Sequence, residues 1–159
     1  MKLSFRTLFV IATLIVVTSA TESYGCSCVT PQVGRAYNQS RAVFIGVVTD
    51  IVEPVTNDPK ATPIERLFQV KFKVGVSWKG SMSRELTILS DQGRAGCFSW
   101  ASFVKGQSYL VYADAPPKGS PRGVLAVLLV CNRTALVGNA SEDVKELEAL
   151  YRRNFRFNN

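Results

Sequence analysis

Cys26 and Cys28 stand one residue apart near the start of the chain, and only Cys97 and Cys131 follow them. That spacing constrains the fold more than any other feature. Lys2 and Arg6 precede an apolar run over residues 8–17, and small and polar residues come next. A basic start, an apolar stretch of about ten residues and small residues at the cut read as a secretory signal peptide, residues 1–25. Cysteines of an exported chain are expected to pair. A ring closed directly between Cys26 and Cys28 is badly strained, so the two reach out separately. They do so as Cys26–Cys97 with Cys28–Cys131, or in the crossed arrangement. Either option pins the mature N-terminus to two distant strands and closes long loops, each worth a few kcal/mol.

Small residues precede two cuts, one after Ala20 and one after Gly25. Residue preference does not choose between them. A cut after Gly25 gives Cys26 a free α-amine beside its own carbonyl, a pair able to close a five-membered chelate on a metal. The remainder, residues 26–159, is one domain, large enough for a core and small enough to welcome staples. Losing Lys2, Arg6 and Glu22 lowers the net charge from +7 to +6. A basic secreted domain is suited to acidic matrix polysaccharide, and the same charge also serves solubility. The sequons at Asn38, Asn132 and Asn139 are candidate glycosylation sites. No later segment is long enough to span a membrane, the run at 124–130 being far short of ~20 residues.

The rest of the chain reads as mainly β. Val33, Ala36 and Tyr37 share one face of a short helix within residues 31–40. Residues 42–52 form a β-branched run expected to be a buried strand, with Gly46 marking a bend or bulge. Residues 53–65 hold Pro54, Pro59 and Pro63 and read as an exposed loop. Phe68, Val70, Phe72, Val74 and Val76 alternate with polar residues or glycine, the period of a strand with one face buried. In that pattern Lys71 and Lys73 lie on a solvated face. Trp78 to Ser81 reads as a turn. Shorter strands are expected at 85–89, 107–113 and 123–131, with a glycine-rich loop at 91–96. A helix over about 142–153 closes the chain. Asn139 or Ser141 caps it, Glu142 and Asp143 complement its dipole, and Val144, Leu147, Leu150 and Tyr151 line its inner stripe. A short helix, about five strands and a terminal helix suggest a small closed or nearly closed barrel, of which the five-stranded OB-fold is one form.

Catalytic chemistry has little to work with. The chain has no histidine, which removes Ser-His-Asp and Cys-His catalysis and every histidine-based metal site. Paired cysteines leave no thiol nucleophile. The carboxylates are scattered apart from those at 142–148, which suit a solvated helix face. There is no phosphate-binding loop, and export argues against nucleic acid as a partner. An enzyme is not expected.

Cys26-Ser27-Cys28, Pro31-Gln32, Ala36-Tyr37 and the run at 42–48 together resemble the N-terminal inhibitory domain of the tissue inhibitors of metalloproteinases. Cys97 and Cys131 extend the likeness along the mature chain. The resemblance implies a netrin-like module: an OB-type barrel with flanking helices, stapled by Cys26–Cys97 and Cys28–Cys131. It implies that Cys26, through its α-amino nitrogen and carbonyl oxygen, binds the catalytic zinc of a secreted or cell-surface metalloprotease and displaces the zinc-bound water. It places Ser27 in the pocket after the scissile bond, and Ala95, Gly96, Cys97 and Phe98 along the cleft. The loop at 53–65 becomes a secondary contact. The protein needs no cofactor, since the zinc belongs to the target, and a monomer is expected. Asn38 stands where the family has a further cysteine, whose late partner is also absent, and Phe98 where the family has glycine. The alternative is a non-inhibitory, netrin-like binding module of the extracellular matrix, in which Cys26 is only a structural half-cystine.

Overall fold

The computed structural model describes residues 29–58, 60–62, 64–80, 83–92, 102–128 and 132–157, with side chains of the last helix up to Arg153. A short helix α1 (Val33–Gln39) leads into six strands and a terminal helix α2 (Ser141–Phe157). The strands are β1 (Ala42–Val52), β2 (Phe68–Lys79), β3 (Glu85–Ser90), β4 (Ser108–Ala113), β5 (Val124–Val127) and β6 (Ala135–Leu136). They form one sheet in the order β5-β3-β2-β1-β4-β6. Five of these are the expected strands. The sixth is a two-residue addition, too short to leave a periodic signal; β5 covers Val124–Val127, and residues 129–131 of the expected strand lie outside the described residues.

All neighbours in the sheet are antiparallel except β3 and β5, which run parallel from Thr87 beside Val124 to Ser90 beside Val127. Past the end of β4, Asp114 and Ala126 exchange both backbone bonds, at 2.8 and 3.1 Å. That bridge brings β5 back to β4, so the sheet curls into a ring, in keeping with an OB-like barrel.

The two faces of β1 explain its continuous apolar run. Ala42, Phe44 and Val48 join the core inside the curl, while Val43 and Ile45 join a second core beneath the helices. Burial on both faces removes the alternation that a half-solvated strand shows. The inner core contains a chain of edge-to-face rings: Phe44 on Phe72 at 5.7 Å, Phe72 on Phe103 at 5.2 Å, and Phe103 on Tyr109 at 5.0 Å.

β1 and β2 pair with three irregularities, one of them at the Ile45/Gly46 step. The extra residue at that step is Gly75 on β2, and Gly46, the expected bend or bulge, lies at the irregularity on the facing strand. A Cβ there meets the Lys73 carbonyl and two phenylalanine rings at 3.1–3.2 Å. Opposite, β2 steps from Val74 to Val76 across Gly75 and from Ser77 to Lys79 across Trp78. Each extra residue turns the strand over. The expected alternation consequently holds from Phe68 to Val74 and then fails: Val76 is 48% exposed. Trp78, expected in a turn, lies within β2 and is buried under the helices.

α2 is longer than expected, and its stripe differs. Leu147 is fully buried and Val144 and Leu150 pack beside it, but Tyr151 is 44% exposed and Asp143 is turned inward at 7%. Among the described residues no helix is long and apolar enough to cross a membrane.

Candidate functional site

Cys26, Ser27, Cys28, Ala95, Gly96, Cys97, Phe98 and Cys131 lie outside the described residues. What the structure describes is the framework from which those segments depart. It consists of the root of the N-terminal segment, both roots of the loop after β3, and the stretch after β5.

The N-terminal segment enters the fold through α1. Val33 and Ala36 are buried in the second core with Tyr37 beside them, the face expected from their spacing. The end of β2 fastens the helix. The Tyr37 hydroxyl donates to the Trp78 carbonyl at 3.0 Å. The Lys79 ammonium donates to the carbonyls of Tyr37 at 2.7 Å and Asn38 at 3.0 Å, and sits 5.1 Å from the Tyr37 ring centre. A cation on the last carbonyls of a helix satisfies acceptors that lack intrahelical partners and suits the dipole. Burial, followed by the nearby Arg41 charge, lowers the Lys79 pKa.

Just before α1, the Arg133 guanidinium donates from Nη1 to the Pro31 carbonyl at 2.7 Å. The other side of the same group grips Asp143: Nε reaches Oδ2 at 2.7 Å and Nη2 reaches Oδ1. The Tyr112 hydroxyl donates to Asp143 Oδ2 at 3.1 Å. Burial first, and then the Asp143 carboxylate, push the Tyr112 phenol well above its ordinary range. Bonding to Asp143 raises the Arg133 pKa further. One bidentate ion pair thus links the N-terminal segment, β4, the stretch after β5 and the start of α2.

Residues 132–134 are seated on β4 by their own side chains. Asn132 Nδ2 donates to the Tyr112 carbonyl at 2.7 Å, and its Oδ1 accepts from the Thr134 amide and hydroxyl at 2.8 and 2.7 Å. Thr134, 2% exposed, accepts the Tyr112 amide at 2.9 Å. Both atoms of the Asn132 amide are therefore committed to folded-state bonds. Asn38 and Asn139, the other two sequon asparagines, are exposed. Thr30, Asn132, Arg133, Asn139 and Asp143 line a shallow pocket of about 210 Å³ beside this network.

The loop after β3 is rooted by Gln92. Its backbone takes the left-handed conformation at φ 53°, which a residue other than glycine adopts at some cost. Its side-chain amide then grips the far root, accepting the Phe103 amide at 2.7 Å and donating to the Phe103 carbonyl at 3.4 Å. The Tyr109 hydroxyl fixes the same root by accepting the Val104 amide at 3.0 Å and donating to the Ser102 carbonyl at 3.4 Å. The Phe103 ring completes the attachment inside the core.

Elsewhere, Lys71 lies 3.2 Å and Lys105 3.8 Å from Asp50, whose pKa falls chiefly through the Lys71 bond. These are exposed pairs of small worth, as a solvated strand face predicts. In the loop at 53–65 the Thr62 hydroxyl and amide donate to Glu65 Oε2 at 2.7 and 2.8 Å, which lowers the Glu65 pKa.

Arg133, Asp143 and Tyr112 escaped the reading from sequence. In sequence Asp143 reads as a complement to the helix dipole, yet it shares the face of Leu147 and Leu150, at spacings of four and seven. An acidic residue on an apolar stripe calls for a buried partner, and that was the available signal. The chain matches no protein-family model, and no curated protein is significantly similar to it.

Proposed function

We propose that this chain is a secreted inhibitor of zinc metalloendopeptidases that acts through the backbone of Cys26. In this reading the fold is the five-stranded OB-type barrel of a netrin-like module, stapled by Cys26–Cys97 and Cys28–Cys131. The ring order β1-β2-β3-β5-β4, with its parallel β3–β5 contact, supports that finer assignment.

The observation that carries the reading is the convergence of the flanks of all the cysteine-bearing segments. Pro31, three residues past Cys28, is held by Arg133, two residues past Cys131. β3 and β5 end side by side at Ser90 and Val127, so the loop with Cys97 and the stretch with Cys131 leave the sheet together. Flanks so arranged suit a rigid N-terminus backed by a neighbouring loop. Rigidity matters because a ligand ordered before docking loses little entropy on binding. The α-amine of Cys26, with a pKa near 8, is neutral in useful part at physiological pH and free to donate its lone pair. Cys26 then occupies the target's zinc in place of the attacking water, Ser27 probes the adjoining pocket, and Ala95, Gly96, Cys97 and Phe98 flank the cleft. The protein contributes no catalytic group and no cofactor.

The test compares protein beginning at Cys26 with the same protein carrying one additional N-terminal alanine, assayed against a panel of secreted zinc endopeptidases. Inhibition by the first alone is the expected result. Equal inhibition by both, or by neither, overturns the proposal, and so does an N-terminus at Thr21 in the natural secreted protein.

A further inference from the structure

We infer that Arg133 is the positioning residue that aims the N-terminal segment, doing so by a hydrogen bond to the Pro31 carbonyl. This inference rests on the inhibitor reading for its functional consequence, but its physical content stands on geometry alone.

Arginine is suited to the task because its guanidinium is a flat, rigid fork with donors on two sides. On one side Nε and Nη2 engage both oxygens of Asp143. Asp143 is in turn fixed by the Tyr112 hydroxyl and by its own burial in the first turn of α2. With the fork locked in its own plane, the two N–H bonds of Nη1 have fixed directions in that plane, and the Pro31 carbonyl accepts from Nη1 at 2.7 Å. Neighbouring bonds hold the residue from behind as well. Asn132 and Thr134, on either side of Arg133 in sequence, are tied to the backbone of Tyr112. The fork therefore cannot drift along β4.

Pro31 is a fitting recipient. Its ring fixes φ, which removes one of the two soft torsions between the held carbonyl and the preceding chain. Residue 26 lies within about 18 Å of Pro31 even along a fully extended chain. A small rotation at Pro31 therefore moves the mature N-terminus by several ångströms, far more than zinc coordination tolerates. The disulfides would tether that segment, and Arg133 would orient it.

Lysine keeps the charge at position 133 and loses the fork, so Arg133→Lys is the informative variant, with Asp143→Asn as a second that leaves the guanidinium in place. Both are compared with wild type by backbone 15N relaxation order parameters at residues 29, 30, 32 and 33, by inhibition of a zinc endopeptidase, and by thermal melting. Lower order parameters at 29–33 are expected, with β1 and β4 unchanged. The inhibition constant should rise about tenfold or more, the worth of a charge-assisted bond, in a protein that still melts cooperatively. Unchanged order parameters at 29–33 in both variants overturn the inference, as do lower ones with undiminished inhibition. If wild type inhibits no endopeptidase, the inhibitor reading fails. The order-parameter comparison then still decides whether Arg133 holds the segment.

Discussion

Tyr112 shows how much one buried hydroxyl can carry. Its ring is in the second core, its amide and carbonyl hold Thr134 and Asn132, and its hydroxyl orients Asp143. Burial and the Asp143 carboxylate oppose ionisation of the phenol, so its folded pKa lies above the unfolded value near 10. A raised pKa of this kind gives a contribution to stability that is complete below about pH 10 and is lost as pH rises above it. The melting temperature of wild type should therefore fall more steeply between about pH 9 and 11 than that of Tyr112→Phe. Parallel curves would show that the hydroxyl does not resist ionisation. The sequence shows Tyr112 as a strand residue and nothing more, because Asp143 is 31 positions away and Arg133 comes from a stretch without periodic pattern. Asn132 was legible as a sequon but not as the clasp of residues 132–134, since both readings use the same side-chain amide.

Among the elements, β2 separates what pattern reveals from what pairing decides. Alternation located the strand and correctly assigned Phe68, Val70, Phe72 and Val74 to the core. It extends one residue too far because the step across Gly75 reverses the faces, and which of the facing glycines, Gly46 or Gly75, carries the extra residue is decided by the pairing of β1 with β2. Truncating Phe72, which is 1% exposed and touches two aromatic rings, should cost about 3–5 kcal/mol. Truncating Val76, half exposed after the bulge, should cost under about 1 kcal/mol. Urea unfolding of Phe72→Ala and Val76→Ala distinguishes the two. Comparable losses would mean that Val76 is a core residue and the bulge is misplaced. α1 was legible from three spaced residues, whereas its clamp by Lys79 was not, since Lys79 read as part of a turn. The end of α2 is not legible because Asn154, Phe155, Arg156 and Phe157 alternate polar and apolar, a period of two rather than that of a helical stripe.

At the scale of the whole molecule, the proposed disulfides would brace the sheet. Under the proposed pairing, non-reducing peptide mapping should recover Cys26 linked to Cys97 and Cys28 linked to Cys131. Crossed linkage would overturn the pairing while leaving the fold intact. Reduction should then lower the melting temperature markedly, each bridge of this loop length contributing roughly 4 kcal/mol in the chain-entropy model. The closure of the sheet has a further consequence. β1 meets β2 along nine registered pairs, β3 meets β2 along six, and β3 meets β5 along four. Between β4 and β5 the described ring is completed only by Asp114 and Ala126. Local opening is cheapest where the fewest bonds must break. The wall therefore has one thin seam, and thermal swelling of the ring is relieved there as a slit between β4 and β5.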